Sequence, residues 1–418
     1  MDPLLVTSEA TSRAWSRAEQ VARDAYGRLL AILSERSGDI QLAEDCLAEA
    51  FTRALETWPE SGVPENPEGW LITVARNRHR DALKSADHRR SGPLEDAANA
   101  AAAALTDVDP DAIPDRRLAL LFVCAHPAVD PPARAPLMLQ TVLGFQASEV
   151  ARAFGVQTAA MAQRLVRAKR RIKEAGIPFK VPDQAHAPAR LGAVIEAIYG
   201  AYAIDWMLVS GQTIRASLAE EALYLAVTLA ELQPEEPEVL GLAALLSLSL
   251  ARAAGRTRGG EFVPLDEQDP ALWDAHLIRQ GERYLRQAHP LGRIGRFQLE
   301  AAIQSAHCAR LGSGAVDWPT VLTLYEGLLA TAPTLGAQVA HAAAVARVSG
   351  APAGLSALDR IGDPAIRRFQ PAWATRAHLL AEAGRWTEAG AAFDKAISLT
   401  TEADVRAYLN GRRNALPR

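Results

Sequence analysis

The sequence predicts an all-α fold, and three observations predict it. Alanine, the strongest helix former, supplies 83 of the 418 residues. Apolar residues recur at spacings of three and four, the period of a helix with one buried face. Gly and Pro punctuate the periodic stretches. The length suits two to four domains at roughly 100–200 residues each. A hydrophobic share of 49% and a charged share of 22% exclude a disordered chain. A formal net charge of −4 excludes a uniformly basic nucleic-acid coat.

Taken in order, the first helical block runs from about Ser12 to Trp58. Leu29, Ile32 and Leu33, then Leu47, Ala50, Phe51, Ala54 and Leu55, form its apolar stripe. Gly38-Asp39 ends one helix and caps the next. Pro59 to Pro67 reads as a loop, after which Asn66-Pro67-Glu68 supplies an N-cap with Pro at the first helical position. The next helix carries Trp70, Leu71, Val74 and Ala75 on one side and ends in basic residues. Between about Asp87 and Asp115 periodicity dissolves into an acidic, alanine-rich linker. It resumes from Leu118 to about Lys173. A second boundary follows at Pro178, Pro182 and Pro188, and beyond it lie helices separated by Gly and Pro. Trp373, Ala377, Leu380, Gly384, Ala389, Phe393 and Ala396 stand at the offsets of a tetratricopeptide (TPR) unit, and Tyr325, Leu328 and Pro333 match half of another. Leu250 to Arg256 echoes Leu380 to Arg385, which predicts two equivalent helix ends, each stopped by Gly.

The segment from Phe145 to Lys173 has the layout of a helix-turn-helix: a short helix at Ala147–Phe154, a turn at Gly155-Val156-Gln157, and a second helix from Thr158. Met161, Leu165, Ala168 and Ile172 line the inner face of that second helix. Thr158, Ala160, Gln163, Arg164, Arg167 and Arg171 lie on the other side. The N-terminal end of such a helix enters the major groove. There Gln163 matches adenine and Arg164 guanine, while Arg167, Arg170, Arg171 and Lys173 suit phosphates. The alternative is an ordinary amphipathic helix with a solvated basic face. A second basic cluster, Arg76, Arg78, Arg80, Lys84, Arg89 and Arg90, is flanked by Trp58 and Trp70. Cations interleaved with aromatics suit melted DNA; the alternative is core tryptophans beside a solvated helix end.

These segments, in this order, resemble an extracytoplasmic-function (ECF) sigma factor of bacterial RNA polymerase. Asp39 to Phe51 is similar to the family's polymerase-binding helix. Asn66 to Leu71, with Ala75 to Arg78, is similar to its promoter-melting helix, and Phe145 to Lys173 to its −35-reading helix-turn-helix. Ile113-Pro114-Asp115, Phe122 to Pro127, Ala162 to Lys169 and Ala175 to Phe179 resemble the subgroup with a TPR-like C-terminal extension. So do Glu236-Pro237-Glu238, Glu267-Gln268-Asp269, Trp273-Asp274 and Gln298 to Ile303.

The resemblance implies sigma domain 2 at residues 10–90, an acidic linker at 91–114, sigma domain 4 at 115–180 and a TPR-like helical domain at 189–418. It implies that Asp39, Asp45, Glu49 and Phe51 dock on the clamp helices of core RNA polymerase, whose flap meets the second domain. Asn66, Trp70, Arg76, Asn77, Arg78, Arg80 and Lys84 would hold the −10 element. Thr158, Ala160, Gln163, Arg164, Arg167, Arg170 and Arg171 would read the −35 element. Asp107, Asp109 and Asp111 would let the linker imitate RNA. The partners implied are core polymerase, promoter DNA and a regulatory protein or intramolecular contact through the extension. The extension departs from the subgroup at Ile204-Asp205, Arg258 and Ala340-His341. Those departures motivate an alternative reading: a sigma-derived protein-interaction scaffold that has lost promoter recognition.

Other chemistries find little footing. Cys124 and His126, two apart, and the adjacent His307-Cys308 lack the ligand spacing of zinc. No phosphate-cradling Gly loop or nucleophile elbow stands out, and Gly259-Gly260 reads as a turn. The expectation is therefore a non-enzyme with no cofactor and no metal. Three widely spaced cysteines, Cys46, Cys124 and Cys308, fit a reducing cytoplasm. No charged-then-apolar leader opens the chain. Its longest apolar run, Val239 to Ala251, is expected to be a core helix and not a span, which needs about 20 residues. A cytoplasmic protein without membrane contact is expected. Removing the residues after about Pro182 is predicted to change promoter activity, and unchanged run-off transcription by the shortened chain would refute that.

Overall fold

The computed structural model describes residues 3–87, 113–182, 186–208 and 216–417. Among the described residues the regular structure is helical apart from one two-stranded hairpin. The chain folds into two compact units, residues 1–201 and 202–418. The division between the units lies within the helix Pro188–Leu208, at whose start the sequence places the beginning of the last domain. The linker expected at 91–114 lies outside the described residues except for its last two positions.

The first unit opens with α1 (Pro3–Ser37), α2 (Ile40–Ser61) and α3 (Pro67–Asp87). Gly38, at φ 65°, breaks α1 from α2. Asp39 caps α2, its carboxylate accepting from the Leu42 amide at 3.1 Å. Helix α2 runs past Pro59 to Ser61, where a loop was expected. Near a C-terminus Pro removes a single backbone donor, and Gly62 at φ 83° provides the stop. Leu29, Ile32, Leu47, Ala50, Trp58, Leu71 and Ala75 close the three-helix core.

The remainder of this unit is α4 (Ile113–Cys124), α5 (Pro131–Thr141), α6 (Ala147–Ala153), α7 (Thr158–Glu174) and the start of α8 (Pro188–Leu208). Helix α4 packs on α1, and α7 packs on α2 as well as on α5 and α6. The two segments expected as separate domains thus share one unit. The closest approach is at Gly27 in α1, where a Cβ would stand 1.8 Å from the carbonyl oxygen of Val142. Only glycine lets these two backbones meet.

The second unit comprises the end of α8, then α9 (Ala216–Leu232), α10 (Pro237–Leu250), α11 (Ala275–Ala288), α12 (Arg296–Cys308), the single turn α13 (Arg310–Ser313), α14 (Trp318–Thr331), α15 (Leu335–Ser349), α16 (Ala351–Asp359), α17 (Gln370–Glu382), α18 (Trp386–Leu399) and α19 (Ala403–Asn414). Pro237–Gly255 is apolar and long enough, at 19 residues, to cross a membrane, but 78% of its apolar window is buried inside the protein, as a core helix is. Glu238, in its first turn, accepts from the Phe297 and Gln298 amides at 2.9 and 3.2 Å and so caps α12.

A hairpin, β1 (Thr257–Arg258) and β2 (Glu261–Phe262), turns through Gly259 and Gly260, both at positive φ. Phe262 meets Tyr408 of α19 edge-on, and Asp266 pairs with Arg347 of α15. Arg310 donates to the carbonyls of Leu265, Asp266 and Gln268 and stacks over Trp273 at 4.9 Å. The chain's own loop therefore contacts both α15 and α19. In the last helix pair Ala377, Leu380, Ala389, Phe393 and Ala396 are buried, and Gly384 ends α17 at φ 74°. Its expected counterpart Gly255 differs. It is buried in a 3-10 turn without positive φ, and its Cα faces the Trp273 ring so closely that a Cβ would reach Nε1 at 2.9 Å.

Burial pushes His378 down to about 4, with Arg412 and Arg347 adding to the effect; it pushes His307 down to about 4 as well, aided by Arg252 and Arg310. An unfolded histidine takes up its proton near 6.5, so the unfolded state binds more protons between about 6.5 and 4. Stability is predicted to fall as pH falls through that window. His378→Phe, which keeps the ring contacts to Phe393 and Tyr408, should flatten the slope by up to about 1.4 kcal/mol per pH unit. Thermal unfolding across the window measures it.

Candidate DNA and polymerase interface

Helix α7 is the centre of the site. Met161, Leu165, Ala168 and Ile172 are buried beneath it. Thr158, Ala160, Gln163, Arg167, Arg170 and Arg171 are exposed on its outer side, and Arg164 is half-buried at the margin. The turn before it is set by Gly155 at φ 63° and by the Val156 amide donating to the Ala151 carbonyl at 3.0 Å. Glu149 closes the start of α6 by accepting from the Gln146 amide at 2.9 Å. Between the start of α5 and α7 runs a groove of about 460 Å³, lined by Arg164, Arg167, Arg170 and Arg171 together with Asp130 and Glu174.

The second group lies on α3. Asn66 Oδ1 accepts from the Gly69 amide at 2.9 Å, so this residue is the N-cap. Trp70 is half-buried and meets the buried Trp58 edge-on, with ring centroids 5.5 Å apart. Arg78 and Arg80 are exposed, whereas Arg76 and Asn77 are half-buried. The side chain of Lys84 lies outside the described residues, as do Arg89 and Arg90. Of the α2 residues, Asp45 and Glu49 are exposed and Phe51 is half-buried. Arg78 pairs with Glu49, which places the α2 and α3 groups side by side.

Asp39 is different. Its side chain is only 11% exposed, and besides capping α2 it accepts from Lys173 Nζ at 2.7 Å. That hydrogen bond, and the carboxylate charge behind it, hold the Lys173 ammonium above the ordinary lysine value. One turn back, Lys169 is buried at 4% exposure and donates to Glu44 Oε2 at 2.5 Å. Burial raises the Glu44 carboxyl above its usual range against the opposing pull of Lys169, and Glu44 Oε1 is buried without a partner. Sequence reasoning missed Lys169. The signal was there, because it stands four residues after Leu165 on the buried face. Cys124 is buried beside Thr141 and pushed up to about 12 by that burial. All three cysteines are free, and among the described residues no group of three or more His, Cys, Asp or Glu is placed to hold a metal.

The sigma-70 region 2 family model matches residues 21–89, which take in the second half of α1 and all of α2 and α3. A family of unknown function, DUF6596, matches residues 190–289. The chain is similar to a probable ECF RNA polymerase sigma factor, SigI of Mycobacterium tuberculosis, with 34% identity over 154 residues, 36% of this chain and 52% of that protein. It is similar also to a probable RNA polymerase sigma factor, RfaY of Xanthomonas campestris, with 31% identity over 166 residues, 36% of this chain and 40% of that one. No solved structure matches the chain. A region 2 helix bundle in one unit with a helix-turn-helix defines a sigma-factor-like protein. The chain belongs to one family with an uncharacterised protein of Rhizobium meliloti, to which it is 35% identical over 377 residues, 89% of each chain.

The Asn66 cap carries a local prediction. Asn66→Ala should cost about 1 kcal/mol by leaving the Gly69 amide unsatisfied, which thermal unfolding would register as a lowered midpoint.

Proposed function

We propose that the protein is a promoter-specificity subunit of RNA polymerase, a sigma factor of the ECF type, with no active site of its own. One observation carries the reading. The exposed side of α7 carries Gln163, Arg167, Arg170 and Arg171, with Arg164 at its margin, in a chain whose first helices match sigma-70 region 2. Gln163 and Arg164 near the start of α7 would meet base edges of the −35 element. Arg167, Arg170 and Arg171, which line the groove between α5 and α7, would neutralise phosphates. On α3, Trp70 and the arginines at 76, 78 and 80 would hold the −10 strand as it unstacks, at a cost of roughly a few kcal/mol per base. Asp45, Glu49 and Phe51 on α2 would dock on the polymerase clamp.

The role of the second unit in this reading is regulatory. Its helical pairs and internal loop supply surface for a partner, and we assign it the control of the first unit's activity. A TPR-like origin is supported by the packing of the last helix pair, α17 on α18. The compartment this role implies is the cytoplasm.

Promoter-selective run-off RNA from core polymerase plus this protein is the test. Wild-type protein should give transcripts from its cognate promoter. Arg164→Ala should lose about 1–3 kcal/mol of discrimination at one base pair. Arg167→Ala should weaken every promoter alike and lower the salt dependence by about one ion. Absence of any run-off product, with a partner co-purifying in place of polymerase, would replace this reading with the scaffold.

A further inference from the structure

In the second unit the buried polar side-chain atoms without a partner gather at one place. Apart from Asp404 Oδ1, those of the described residues are Arg252 Nε, Gln268 Oε1, Trp273 Nε1, His307 Nδ1 and Arg310 Nε. They come from the turn after α10, the loop behind the hairpin, the end of α12 and the single turn α13. The Arg310 guanidinium stacks over the Trp273 ring at 4.9 Å. A Cβ on Gly255, three residues beyond Arg252, would meet both Trp273 Nε1 and Gln268 Cβ. Arg252 and Arg310 both act on His307, whose ring stands edge-on to Trp318 at 5.6 Å. Tyr202 of α8 and Tyr325 of α14 lie near enough to Arg252 to temper its charge. Arg252 Nε, Trp273 Nε1 and Arg310 Nε are N–H groups that donate and never accept, so donors outnumber acceptors here.

The imbalance is one of charge as well. Arg252 is 6% exposed, and among the described residues its side chain hydrogen-bonds only Gln304 Oε1, a neutral acceptor. Burial lowers the Arg252 guanidinium from its ordinary value and pushes Arg256 down to about 9, where Arg252 adds to the effect against Tyr202. The carboxylates of the neighbouring helices face other cations: Glu300 meets Arg296 at 2.7 Å, and Glu282 meets Arg286 at 3.7 Å. The carbonyl ends of α10 and α12 carry about half a negative charge each. Water satisfies a donor but does not neutralise a guanidinium, and a buried charge without a counter-charge is strongly unfavourable.

We propose that this cluster binds a compact oxyanion of the phosphate or sulfate class, held by Arg252 with Trp273, His307 and Arg310 around it. Donors arriving from several elements suit the oxygens of a tetrahedral anion, and more than one guanidinium suits a dianion. Bound there, the anion would join the end of α10, the end of α12 and the loop that Arg310 gathers. The proposal does not depend on the sigma-factor reading. To the second unit, which that reading makes regulatory, it adds a small-molecule ligand.

The test uses the full chain exchanged into chloride buffer free of phosphate and sulfate. Inorganic phosphate, sulfate and ribose 5-phosphate are titrated separately at constant ionic strength. Phosphate at about five times its dissociation constant should raise the thermal midpoint by about 2–4 °C, and the rise should saturate. A stronger response to the ribose ester would identify an esterified phosphate as the ligand, and a stronger response to phosphate or sulfate the free ion. Arg252→Met keeps the apolar stem without the charge and should abolish the response. His307 gives a reading in the wild-type chain that requires no variant to fold. Its imidazole, held at about 4 by burial and by the charges of Arg252 and Arg310, should titrate higher by nuclear magnetic resonance once an anion is bound beside it. No saturable rise with any of the three anions would overturn the site, and so would an unmoved His307. A response that survives in Arg252→Met would overturn it too, placing the anion elsewhere. Because transcription is not measured, these outcomes are independent of whether the chain proves to be a sigma factor.

Discussion

Lys169 is the group on which the arrangement of the first unit depends. An ammonium at 4% exposure is tolerated only with a counter-charge in reach, and Glu44 on α2 is the carboxylate that meets it. That requirement orients α7 about its own axis. With Lys169 turned inward, Met161, Leu165, Ala168 and Ile172 follow it onto the buried face, and Arg167, Arg170 and Arg171 are left on the opposite one. The outward display of arginines on α7 is thus the complement of an inward ion pair. Gly27 sets the distance. Because it lacks a Cβ, the backbone of α1 can meet the chain at Val142.

In the second unit the residues that looked like signatures are mostly structural. Glu238 caps a neighbouring helix, and Asp274 accepts from the His276 and Leu277 amides to cap α11. Gln268 and Trp273 are buried in a loop that Arg310 gathers by three carbonyls. Long loops carry backbone groups that water would otherwise satisfy. A planar guanidinium with five donors is well suited to hold such a loop shut. Motif residues here therefore speak first of a particular loop geometry.

How much was legible in the sequence follows from the physics of each element. The α6–α7 pair was readable because its information is local: Gly155 for a left-handed turn, small Ala151 at the crossing, apolar residues at spacings of four and three. The candidate site residues on α7 were legible for the same reason, since exposure follows from helix phase. What escaped was long-range. Gly27 reads as an ordinary helical glycine until Val142, 115 positions later, is packed against it. Lys169 was hidden by its neighbours, because among Arg167, Arg170 and Arg171 a further cation passes for solvated surface. Asp39 read as a cap and a docking residue, and its partner on α7 could not be inferred from spacing. The separation into two sigma-like domains was drawn from the low-complexity stretch between them, and a stretch of that kind says nothing about whether its flanks touch.

The same long-range pairing explains the charge balance. Residues 1–182 contain 23 basic and 24 acidic side chains. Near neutrality looks unhelpful for a protein proposed to meet DNA, because affinity for the duplex comes mainly from phosphate neutralisation. In the structure that balance is local. Acids at the start of α2 face cations on α7, Glu49 faces Arg78, and Glu35 faces Arg116. Charges that would attract DNA or polymerase are partly answered inside the same unit. Paired charges of this kind weaken the field the unit presents to its surroundings. Near neutrality in this unit thus reflects charges that answer one another within it.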